Sequence, residues 1–422
     1  MRVLVVGGGG REHAIVWKLA QSPLVDELYC LPGNPGIAKL ATCVPGSPGD
    51  VAAIVRFAVE RDIDLTVVGP EEPLCLGLVD ALAAAGKRAF GPTAAAAAIE
   101  GSKAFSKSFM IRQQIPTASF QVFEQVSEAL TFLASCRLPV VVKADGIAAG
   151  KGVVIAHERE EAVAAAREML SGRAFGDAGR RIVVEEWLTG PEVSVMAFVD
   201  GDHFAVMPAA QDHKRARDGD RGPNTGGMGT YSPVPFCPPE LLAEIGRAVI
   251  APAVAGLKAD GRAFVGVLFA GLMLTPTGPK VLEFNCRFGD PETQAVLPRL
   301  KTDLMEIFLA CIDGRLDRCP VAFDDRAVAC VILASGGYPG SYRRGVPIRG
   351  LANADALEDT IIFHAGTAAV AGNVVTAGGR VLGCTGLGAD LTAALSRAYM
   401  AADTIDFDGK QMRRDIGHQA RT

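Results

Sequence analysis

Residues 280–294 alternate between apolar side chains and side chains that could bind a metal ion or an anion. The predicted strand has an apolar face with Leu282, Phe284, Cys286 and Phe288, and a polar face with Glu283, Asn285 and Arg287. Carboxylate and amide oxygens suit Mg²⁺, which usually combines one or two protein oxygens with substrate phosphates. A guanidinium can bind a carboxylate or phosphate through two parallel hydrogen bonds. The stretch therefore predicts a metal site beside an anion site; the alternative is an edge strand with a solvated polar face.

The residues after this strand predict a turn into a helix. Gly289 would end the strand, Asp290 could cap a helix, and Pro291 suits the first helical turn. The N-terminus of that helix would then point into the same cleft as the polar face of the strand.

The composition limits the class of protein. The chain has 422 residues, which predicts several domains, and its net charge of −5 makes it a poor binder of nucleic acid or membrane surfaces. Ten cysteines without a Cys-x-x-Cys pair favour a reduced, cytoplasmic protein. A strand follows directly on Met1-Arg2, so no signal peptide is expected, and no apolar run approaches membrane-spanning length.

Residues 1 to about 100 alternate strand and helix patterns, and each strand is followed by a loop rich in glycine or proline. This order predicts an open parallel sheet whose ligand lies beyond the carboxyl ends of the strands. The glycine run at residues 7–10 does not fit the dinucleotide pattern GxGxxG, because the third position falls on Glu12 or His13. It predicts instead a site for a mononucleotide or a sugar phosphate, held by backbone N–H groups; a tight turn without ligand is the alternative.

A small α+β unit is predicted after Pro116, with a glycine loop at residues 144–152 between two antiparallel strands. The loop does not match GxxxxGK[ST], because only three residues separate Gly146 from Gly150 and Gly152 stands where Ser or Thr is required. It is more typical of a flap that closes over a triphosphate. Lys143 ends a buried apolar run, where a lysine needs a partner such as a phosphate.

The second half of the chain predicts a larger unit and a last small domain. Residues 211–232 are expected to form a long loop rich in charge and glycine, of the kind that is usually functional or disordered. From about Arg326 onwards, strand and helix patterns indicate a separate α+β domain. The sequence as a whole predicts an α/β and α+β multidomain protein.

Two lysines, a glycine flap and an oxygen-ligated metal ion are what a bound triphosphate requires. With these features the chain resembles the ATP-grasp ligases and, among them, the phosphoribosylamine–glycine ligase (glycinamide ribonucleotide synthetase) family. The resemblance covers essentially the whole chain, in order, through the motifs Gly9–Ala14, Pro32–Asn34, Val68–Glu71, Glu100–Lys103, Lys143–Gly146, Gln211–Lys214, Asn224–Gly229, Arg287–Gln294, His364–Thr367 and Arg414–Gly417.

The resemblance implies an ATP-grasp fold in three parts. An N-terminal open parallel-sheet domain, of the Rossmann-like pre-ATP-grasp type, would span residues 1–102. The ATP-grasp domain would span 103–325 and include a lid subdomain at about 117–190. A small C-terminal α+β domain would span 326–422.

The resemblance also implies a C–N bond-forming ligase that joins glycine to 5-phosphoribosylamine with ATP, giving glycinamide ribonucleotide, ADP and phosphate through glycyl phosphate. This reaction is the second step of de novo purine (IMP) synthesis. The implied cofactor is Mg²⁺ or Mn²⁺, and the implied partners are small molecules, with neither nucleic acid nor membrane. A monomer is expected, with a weak dimer as the alternative.

Residue roles follow from the same resemblance. The nucleotide would be bound by Lys103, Lys143, Gly150, Lys151, Gly152, Glu185, Glu186, Trp187, Leu188 and Glu192, and the metal by Glu283 and Asn285. The other substrates would be bound by Gly9, Gly10, Arg11, Gly33, Asn34, Glu71, Asp212, Gly226, Gly227, Met228, Arg287, Gly289 and Asp290. The catalytic residues would be Arg287, Lys143, Asp212 and Lys214.

Two departures from the family pattern stand out. Gly8 occupies a position where the family often has Asn, which would replace a side-chain contact by backbone. The predicted strand Val265–Leu274 has no acidic residue, so a second metal ligand would have to come from elsewhere. Two alternatives stay open: another ATP-grasp ligase, such as a carboxylase subunit, and a nucleotide-sensing module without turnover.

Overall fold

Apolar runs separated by amphipathic segments build a parallel sheet at the start of the chain. The computed structural model describes residues 1–146, 152–171 and 179–421. The strands of the first sheet are β1 (Arg2–Gly7), β2 (Glu27–Pro32), β3 (Thr42–Cys43), β4 (Leu65–Val68) and β5 (Ala89–Phe90). The helices of this part are α1 (Gly10–Leu19), α2 (Val51–Glu60), α3 (Glu71–Cys75), α4 (Leu78–Ala84) and α5 (Ala94–Gly101).

The strand order is β3-β2-β1-β4-β5, and every neighbouring pair is parallel, which confirms the predicted open sheet. The sheet is buried on both faces: Val3 and Val5 belong to one apolar core, whereas Leu4 and Val6 belong to another. The order reverses at β1, between β2 and β4, so the loops that leave these strands lie side by side at the carboxyl edge.

The next part of the chain forms an antiparallel sheet with its own core. Its elements are α6 (Lys103–Arg112), β6 (Phe120–Phe123), α7 (Val126–Ser135), β7 (Val140–Ala144), β8 (Val153–Ala156), α8 (Arg159–Leu170) and β9 (Ile182–Glu186). The strand order is β6-β9-β7-β8, and β7 and β8 are antiparallel as predicted. Leu133, Val142 and Met169 belong to an apolar cluster of this unit alone, so the small sheet packs largely on its own helices.

The middle of the chain contributes a second antiparallel sheet. Its elements are β10 (Glu192–Asp200), β11 (Phe204–Val206), β12 (Gln211–Asp212), β13 (Arg215–Arg217), β14 (Arg221–Asn224), β15 (Gly229–Ser232), α9 (Pro239–Ile245), α10 (Ala251–Ala259), β16 (Val265–Thr275), β17 (Gly278–Asn285), α11 (Thr293–Val296) and α12 (Leu304–Ile312). A π-helical turn, Gly246–Ile250, joins α9 to α10. Four of these strands form a sheet in the order β11-β10-β16-β17, which places β17 at an edge.

The last part of the chain completes a sheet that begins earlier. Its elements are β18 (Ala327–Ala334), α13 (Leu351–Asp355), β19 (Thr360–His364), β20 (Thr367–Val370), β21 (Asn373–Thr376), β22 (Arg380–Gly388) and α14 (Leu391–Thr404). The strand order is β12-β15-β18-β22-β19, so two strands from residues 211–232 extend the C-terminal sheet.

The prediction of a structureless loop at residues 211–232 is wrong, because this segment holds the four strands β12 to β15. Backbone hydrogen bonds to the distant strand β18 satisfy β15, and no local sequence pattern reports such a partner. Within the described ranges, no helix has both the length and the apolar character needed to cross a membrane.

Candidate active site

Strand β17 carries the candidate metal residues, and a bulge shifts its alternation. The pairing with β16 skips Leu282, so Val281 is buried in the core while Leu282 is only partly covered. The prediction that Leu282 lies on the apolar face is therefore wrong, since a bulge resets the period of two. Beyond the bulge, Glu283 and Asn285 share the face opposite the buried Phe284.

Glu283 and Asn285 offer a carboxylate and an amide oxygen that other protein groups leave unengaged. In the part of the chain that the structure describes, neither side chain takes part in a hydrogen bond or ion pair, and no three acidic, His or Cys residues cluster as a complete metal site. Burial alone would raise the pKa of Glu283, but Lys214, Lys143 and Lys103 outweigh it and lower that pKa. Two such oxygens fit a Mg²⁺ or Mn²⁺ ion that draws its other ligands from phosphates and water.

Lys103 is held at the first position of helix α6. The Ser102 hydroxyl donates to the Asp145 carboxylate at 3.0 Å, and the same carboxylate accepts from the Ala104 N–H at 2.7 Å. The Lys103 Nζ donates to the Gly146 carbonyl at 2.9 Å. These contacts tie the helix start to the end of β7, and burial lowers the pKa of Lys103.

Lys143 has a carboxylate partner inside the protein. Its Nζ lies 3.1 Å from Glu185 Oε2 and 3.4 Å from the Leu282 carbonyl oxygen. The Nζ of Lys107 lies 3.0 Å from the same Glu185 oxygen. Glu185 Oε1 is buried and, among the described residues, has no hydrogen-bond partner. The lysine that was expected to need a phosphate thus shares one carboxylate oxygen with a second lysine, and the other oxygen stays open.

The segment that follows β9 leads to the next sheet. The Glu186 carboxylate pairs with Lys280 Nζ at 3.2 Å on strand β17. The Trp187 side chain is 41% exposed, an unusual state for a large apolar residue, while Leu188 is half-buried. The indole ring contacts the His157 ring, with 5.8 Å between the ring centroids, and its exposed part offers an apolar surface to a planar ligand.

Arg287 lies between two carboxylates from the N-terminal part of the chain. Its Nε is 3.2 Å from Glu71 Oε2, its Nη2 is 3.0 Å from Glu100 Oε1, and its Nη1 donates to the Phe288 carbonyl at 3.2 Å. Glu100 Oε2 accepts from the Cys286 N–H at 2.7 Å. Burial raises the pKa of Glu100, whereas Arg287 holds the pKa of Glu71 below its usual value against the effect of burial. The Nε and Nη1 groups donate hydrogen bonds and Nη2 lies in an ion pair, so each terminal nitrogen keeps at least one N–H for a ligand.

The loop after β1 supports a second arginine. Arg11 Nε lies 2.6 Å from Glu12 Oε1, and its Nη1 lies 3.9 Å from the Glu71 carboxylate that also binds Arg287. Glu12 Oε2 accepts from the Gly9 N–H at 2.7 Å, and Gly10 begins helix α1 in a buried position. The two arginines are therefore linked through Glu71 at the carboxyl edge of the parallel sheet.

The loop after β2 packs against the loop after β1. A Cβ on Gly8 would lie 2.6 Å from the Gly33 carbonyl oxygen, so no side chain fits at residue 8 in this arrangement. The Asn34 amide donates to the Gly8 carbonyl at 3.0 Å and to the His364 carbonyl at 2.9 Å. The His364 N–H donates to His13 Nδ1 at 2.7 Å. Residue 8 thus makes its contacts through the backbone. The backbone of His364 holds Asn34 in the loop after β2 and His13 in the helix after β1.

The turn after β17 does not cap a helix as predicted. Helix α11 begins only at Thr293, with Glu292 at its N-cap. Asp290 instead lies 3.1 Å from Arg380 Nη2 and accepts from the Gln294 amide at 2.8 Å. A Cβ on Gly289 would lie 2.6 Å from Glu292 Oε2, so this glycine allows a carboxylate to approach the turn. The prediction for Asp290 is wrong because an arginine more distant in sequence offers a charged partner.

Asp212 faces the same turn. A Cβ on Gly227, where φ is +110°, would lie 2.4 Å from Asp212 Oδ1 and 2.5 Å from Pro291 Cδ. Asp212 Oδ1 is buried and, in the described part of the chain, unpartnered. Burial and the nearby Glu292 raise the pKa of Asp212 well above its ordinary value. Met228, which follows Gly227, is fully buried.

Lys214 emerges on the same side as Asp212, two residues along. Its Nζ lies 2.9 Å from Glu192 Oε2 at the start of β10, and Glu192 raises the pKa of Lys214. The carbonyl of Gly226 accepts a hydrogen bond from Arg380. The C-terminal arginine therefore joins the glycine loop to the turn at Asp290.

Hydrogen bonds, ion pairs and nearby charges connect many of the expected site residues, from the sheet β6-β9-β7-β8 (the lid sheet) through β17 to the loops of the parallel sheet. Gly150 and Lys151 lie outside the described residues. Gly152 is buried, and its carbonyl accepts from the Ala144 N–H at 2.8 Å.

Three charged residues beside the candidate site, one buried and two half-buried, were missed from the sequence. Lys107 follows Lys103 by four positions, a spacing that places both on one helix face and could have indicated it. Glu100 ends the helix before Lys103, and its role depends on Arg287, far along the chain. Arg380 begins strand β22 and has no local signal, because its partners come from two distant segments.

Comparison with known families agrees with this geometry. The chain matches the models for phosphoribosylglycinamide synthetase: the N domain over residues 1–100, the ATP-grasp (A) domain over 101–293 and the C domain over 328–419. A phosphoribosylamine–glycine ligase from Salmonella typhimurium is 51% identical, covering 100% of this chain and 99% of that protein. One from Rhodopirellula baltica is 49% identical, covering 99% and 97%.

Solved structures agree as well. The crystal structure of phosphoribosylamine–glycine ligase from Thermotoga maritima has a TM-score of 0.84 at 34% identity, covering 98% of this chain and 100% of that one. A biotin carboxylase domain from Hydrogenobacter thermophilus has a TM-score of 0.73 at 18% identity, covering 97% and 91%, and shares the fold. By these matches along its whole length, the chain belongs to the phosphoribosylglycinamide synthetase family of ATP-grasp ligases.

Proposed function

We propose that this chain joins glycine to 5-phosphoribosylamine at the expense of ATP, giving glycinamide ribonucleotide, ADP and phosphate in de novo purine synthesis. The observation that carries the proposal is the position of Arg287. Strand β17, which ends two residues before Arg287, presents Glu283 and Asn285, while the Arg287 guanidinium pairs with Glu71 and Glu100 from the parallel-sheet part. The Arg287 guanidinium thus lies between the proposed metal–nucleotide site and the proposed sugar-phosphate site.

The chemistry fits a site that lacks a side-chain nucleophile. The carboxylate of glycine attacks the γ-phosphate of ATP, ADP leaves, and the resulting glycyl phosphate is attacked by the amine of phosphoribosylamine, which releases phosphate. The protein then has to position the reactants and stabilise negative charge. We assign Arg287 to the carboxylate of glycine, because the N–H groups that remain on its two terminal nitrogens suit a carboxylate.

We assign the nucleotide to the face between the lid sheet and β17. Lys103 and Lys143 would bind phosphates together with the loop that includes Gly150, Lys151 and Gly152. Glu185, Glu186, Trp187 and Leu188 would bind the adenine, and Glu192 the ribose. The support is a row of buried or half-buried polar groups beside an exposed indole.

We assign Mg²⁺ or Mn²⁺ to Glu283 and Asn285. Both side chains would hold the ion, and when bound it would supply positive charge against the charge that develops during phosphoryl transfer. The support is the unengaged state of both side chains within the described residues and the lowered pKa of Glu283.

We assign phosphoribosylamine to the carboxyl edge of the parallel sheet. The binding groups would be Gly9, Gly10, Arg11, Gly33, Asn34, Glu71, Gly226, Gly227, Met228, Gly289 and Asp290. Asp212 and Lys214 would act beside Arg287 and Lys143 in catalysis. Burial and the nearby Glu292 raise the pKa of Asp212, which makes this carboxyl group the candidate for proton transfer.

The remaining assignments concern the whole molecule. We assign the domains to residues 1–102, 103–325 with a lid at about 117–190, and 326–422. We expect a monomer, with a weak dimer as the alternative, that works in the cytoplasm on small molecules and without nucleic acid or membrane. All ten cysteines are free thiols, which suits a reducing compartment.

An omission assay tests the reaction. The protein is incubated with ATP, Mg²⁺, glycine and freshly prepared phosphoribosylamine, and each component is left out in turn while ADP is measured. We expect ADP release to require both glycine and phosphoribosylamine. Release that ignores either one would refute the ligase assignment, and release that depends on bicarbonate would indicate a carboxylase.

A further inference from the structure

Two buried lysines share one carboxylate oxygen between helix α6 and the lid sheet. Lys107 is 2% exposed and Lys143 7% exposed, and both Nζ atoms lie within 3.1 Å of Glu185 Oε2. Glu283 acts on both lysines as well but, among the described residues, forms no ion pair with either, and a charge buried without full compensation is costly. Such an arrangement calls for a reason beyond stability.

The contacts divide the two lysines by role. Lys107 donates to the Thr117 hydroxyl at 2.7 Å, and that hydroxyl donates to the Val281 carbonyl at 2.6 Å. The second contact of Lys143 is longer, at 3.4 Å from the Leu282 carbonyl beside the candidate metal strand. Lys107 is therefore anchored within the protein, whereas Lys143 borders the site where the phosphates would lie.

The other oxygen of Glu185 is free to act as an acceptor. Oε1 is buried and, among the described residues, has no partner. A buried acceptor without a donor is rare in native proteins and often marks a ligand contact. Glu185 lies near the end of strand β9, two residues before the exposed Trp187, on whose ring a flat base would stack.

We propose that Lys107 is a specificity-determining residue: it holds Glu185 in place when Lys143 turns to the phosphates, so that Glu185 Oε1 accepts the exocyclic amino group of adenine. This inference rests on the proposed nucleotide site. A purine with a carbonyl at position 6 would bind more weakly, because its oxygen and the carboxylate oxygen are both acceptors and repel each other. Burial lowers the pKa of Lys107 to about 8 while Glu185 acts to raise it, so most of the lysine keeps its charge at neutral pH and can pair with the carboxylate.

The test replaces Lys107 by methionine. Met keeps the length of the side chain and leaves Glu185 with Lys143 as a one-to-one pair, so Lys107→Met is expected to fold. Lys258→Met, at an exposed lysine paired with Asp202, is the matched control. Binding of ATP and of inosine triphosphate, which has a carbonyl at position 6, is measured by calorimetry with Mg²⁺ and without glycine or phosphoribosylamine.

We expect Lys107→Met to weaken ATP binding by about tenfold, the effect of one misplaced buried hydrogen bond, with inosine triphosphate changed by less than about twofold. The preference for ATP then falls, which a purely structural role would not cause. Equal losses for both nucleotides, or an unchanged preference, would overturn the proposal. Lys258→Met should match the wild-type protein.

A second variant covers the case in which Lys107→Met does not fold. Thr117→Val keeps the shape of Thr117 and removes the anchor of Lys107, so the same loss of preference is expected at a smaller size. If Thr117→Val retained the full preference for ATP in that case, the proposal would fall. Because the titrations need no turnover, failure of the omission assay with an intact nucleotide preference would refute only the proposed reaction.

Discussion

Glu100 allows a sharp test of how Arg287 is held. Glu100→Gln keeps nearly the same shape and an oxygen for the Cys286 N–H, but it replaces the charged contact of 3.0 Å to Arg287 by a neutral one. A hydrogen bond between charged groups is worth about 1.5–3 kcal/mol and a neutral one about half as much, so the loss is about 1–1.5 kcal/mol. Glu71 still binds Arg287 at 3.2 Å, which keeps the guanidinium from being unpaired.

If Arg287 binds glycine, the loss should appear in the KM for glycine. About 1.4 kcal/mol corresponds to a tenfold change, so we expect KM to rise about five- to tenfold. The KM for ATP should stay within about twofold, as the nucleotide face does not depend on this contact. Steady-state ADP release measures both KM values, first with glycine varied at saturating ATP and phosphoribosylamine, and then with ATP varied at saturating glycine and phosphoribosylamine. Glu60→Gln, on the exposed end of helix α2, is the control.

The reasoning would be refuted by an unchanged KM for glycine in a folded Glu100→Gln protein. It would also fail if the KM values for glycine and ATP rose together, because that result indicates a general loosening of the site. A lower melting temperature with normal KM values would mean that Glu100 stabilises the fold alone.

Further predictions follow from the site. Arg287→Lys should raise the glycine requirement at least about tenfold, since an ammonium cannot reproduce the planar fork, and an unchanged glycine titration would remove Arg287 from that role. Glu283→Ala should abolish turnover while circular dichroism stays as in the wild-type protein; normal activity would mean that the metal is held elsewhere. Burial lowers the pKa values of His13, His213 and His364 to about 3, 4 and 4. Between about pH 6.5 and 4, these histidines are therefore protonated in the unfolded chain but neutral in the folded chain. Stability should therefore be unaffected by these groups above pH 6.5 and fall as the pH drops to about 4, at up to about 1.4 kcal/mol per pH unit for each histidine. Urea unfolding midpoints at several pH values measure this, and a flat profile across the window would contradict it.

The sequence predicted those parts of the fold whose signal is local. The alternation of strand and helix patterns over residues 1 to about 100, with glycine or proline after each strand, was enough for the parallel sheet, because buried strands and turns leave their own patterns. The period of two along residues 280–294 failed by one residue at Leu282, where a bulge keeps backbone pairing but shifts the faces. The bulge depends on the facing strand β16, which the alternation along β17 does not report.

The site was predictable as residue types but not as partners. Lys143 was expected to need an anion, and the sequence offered no reason to choose Glu185, which comes from a strand 42 residues later. Asp290 was expected to cap a helix, but it pairs with Arg380. In both cases, a charged group distant in sequence stabilises the residue more than a local backbone contact would, since a desolvated charge is stabilised most by an opposite charge.

The C-terminal segment helps to position several of the candidate site residues. Strand β15 pairs with β18, and β12 pairs with β15, so the backbone of Asp212 is part of a sheet that residues 327–388 complete. Arg380 adds a charged contact from the same sheet to Asp290 and to the loop of Gly226. A displacement of this sheet would therefore move Asp212 and the turn after β17 together. The positions of these candidate substrate groups thus depend on strands β18, β22 and β19, which contain none of the candidate residues.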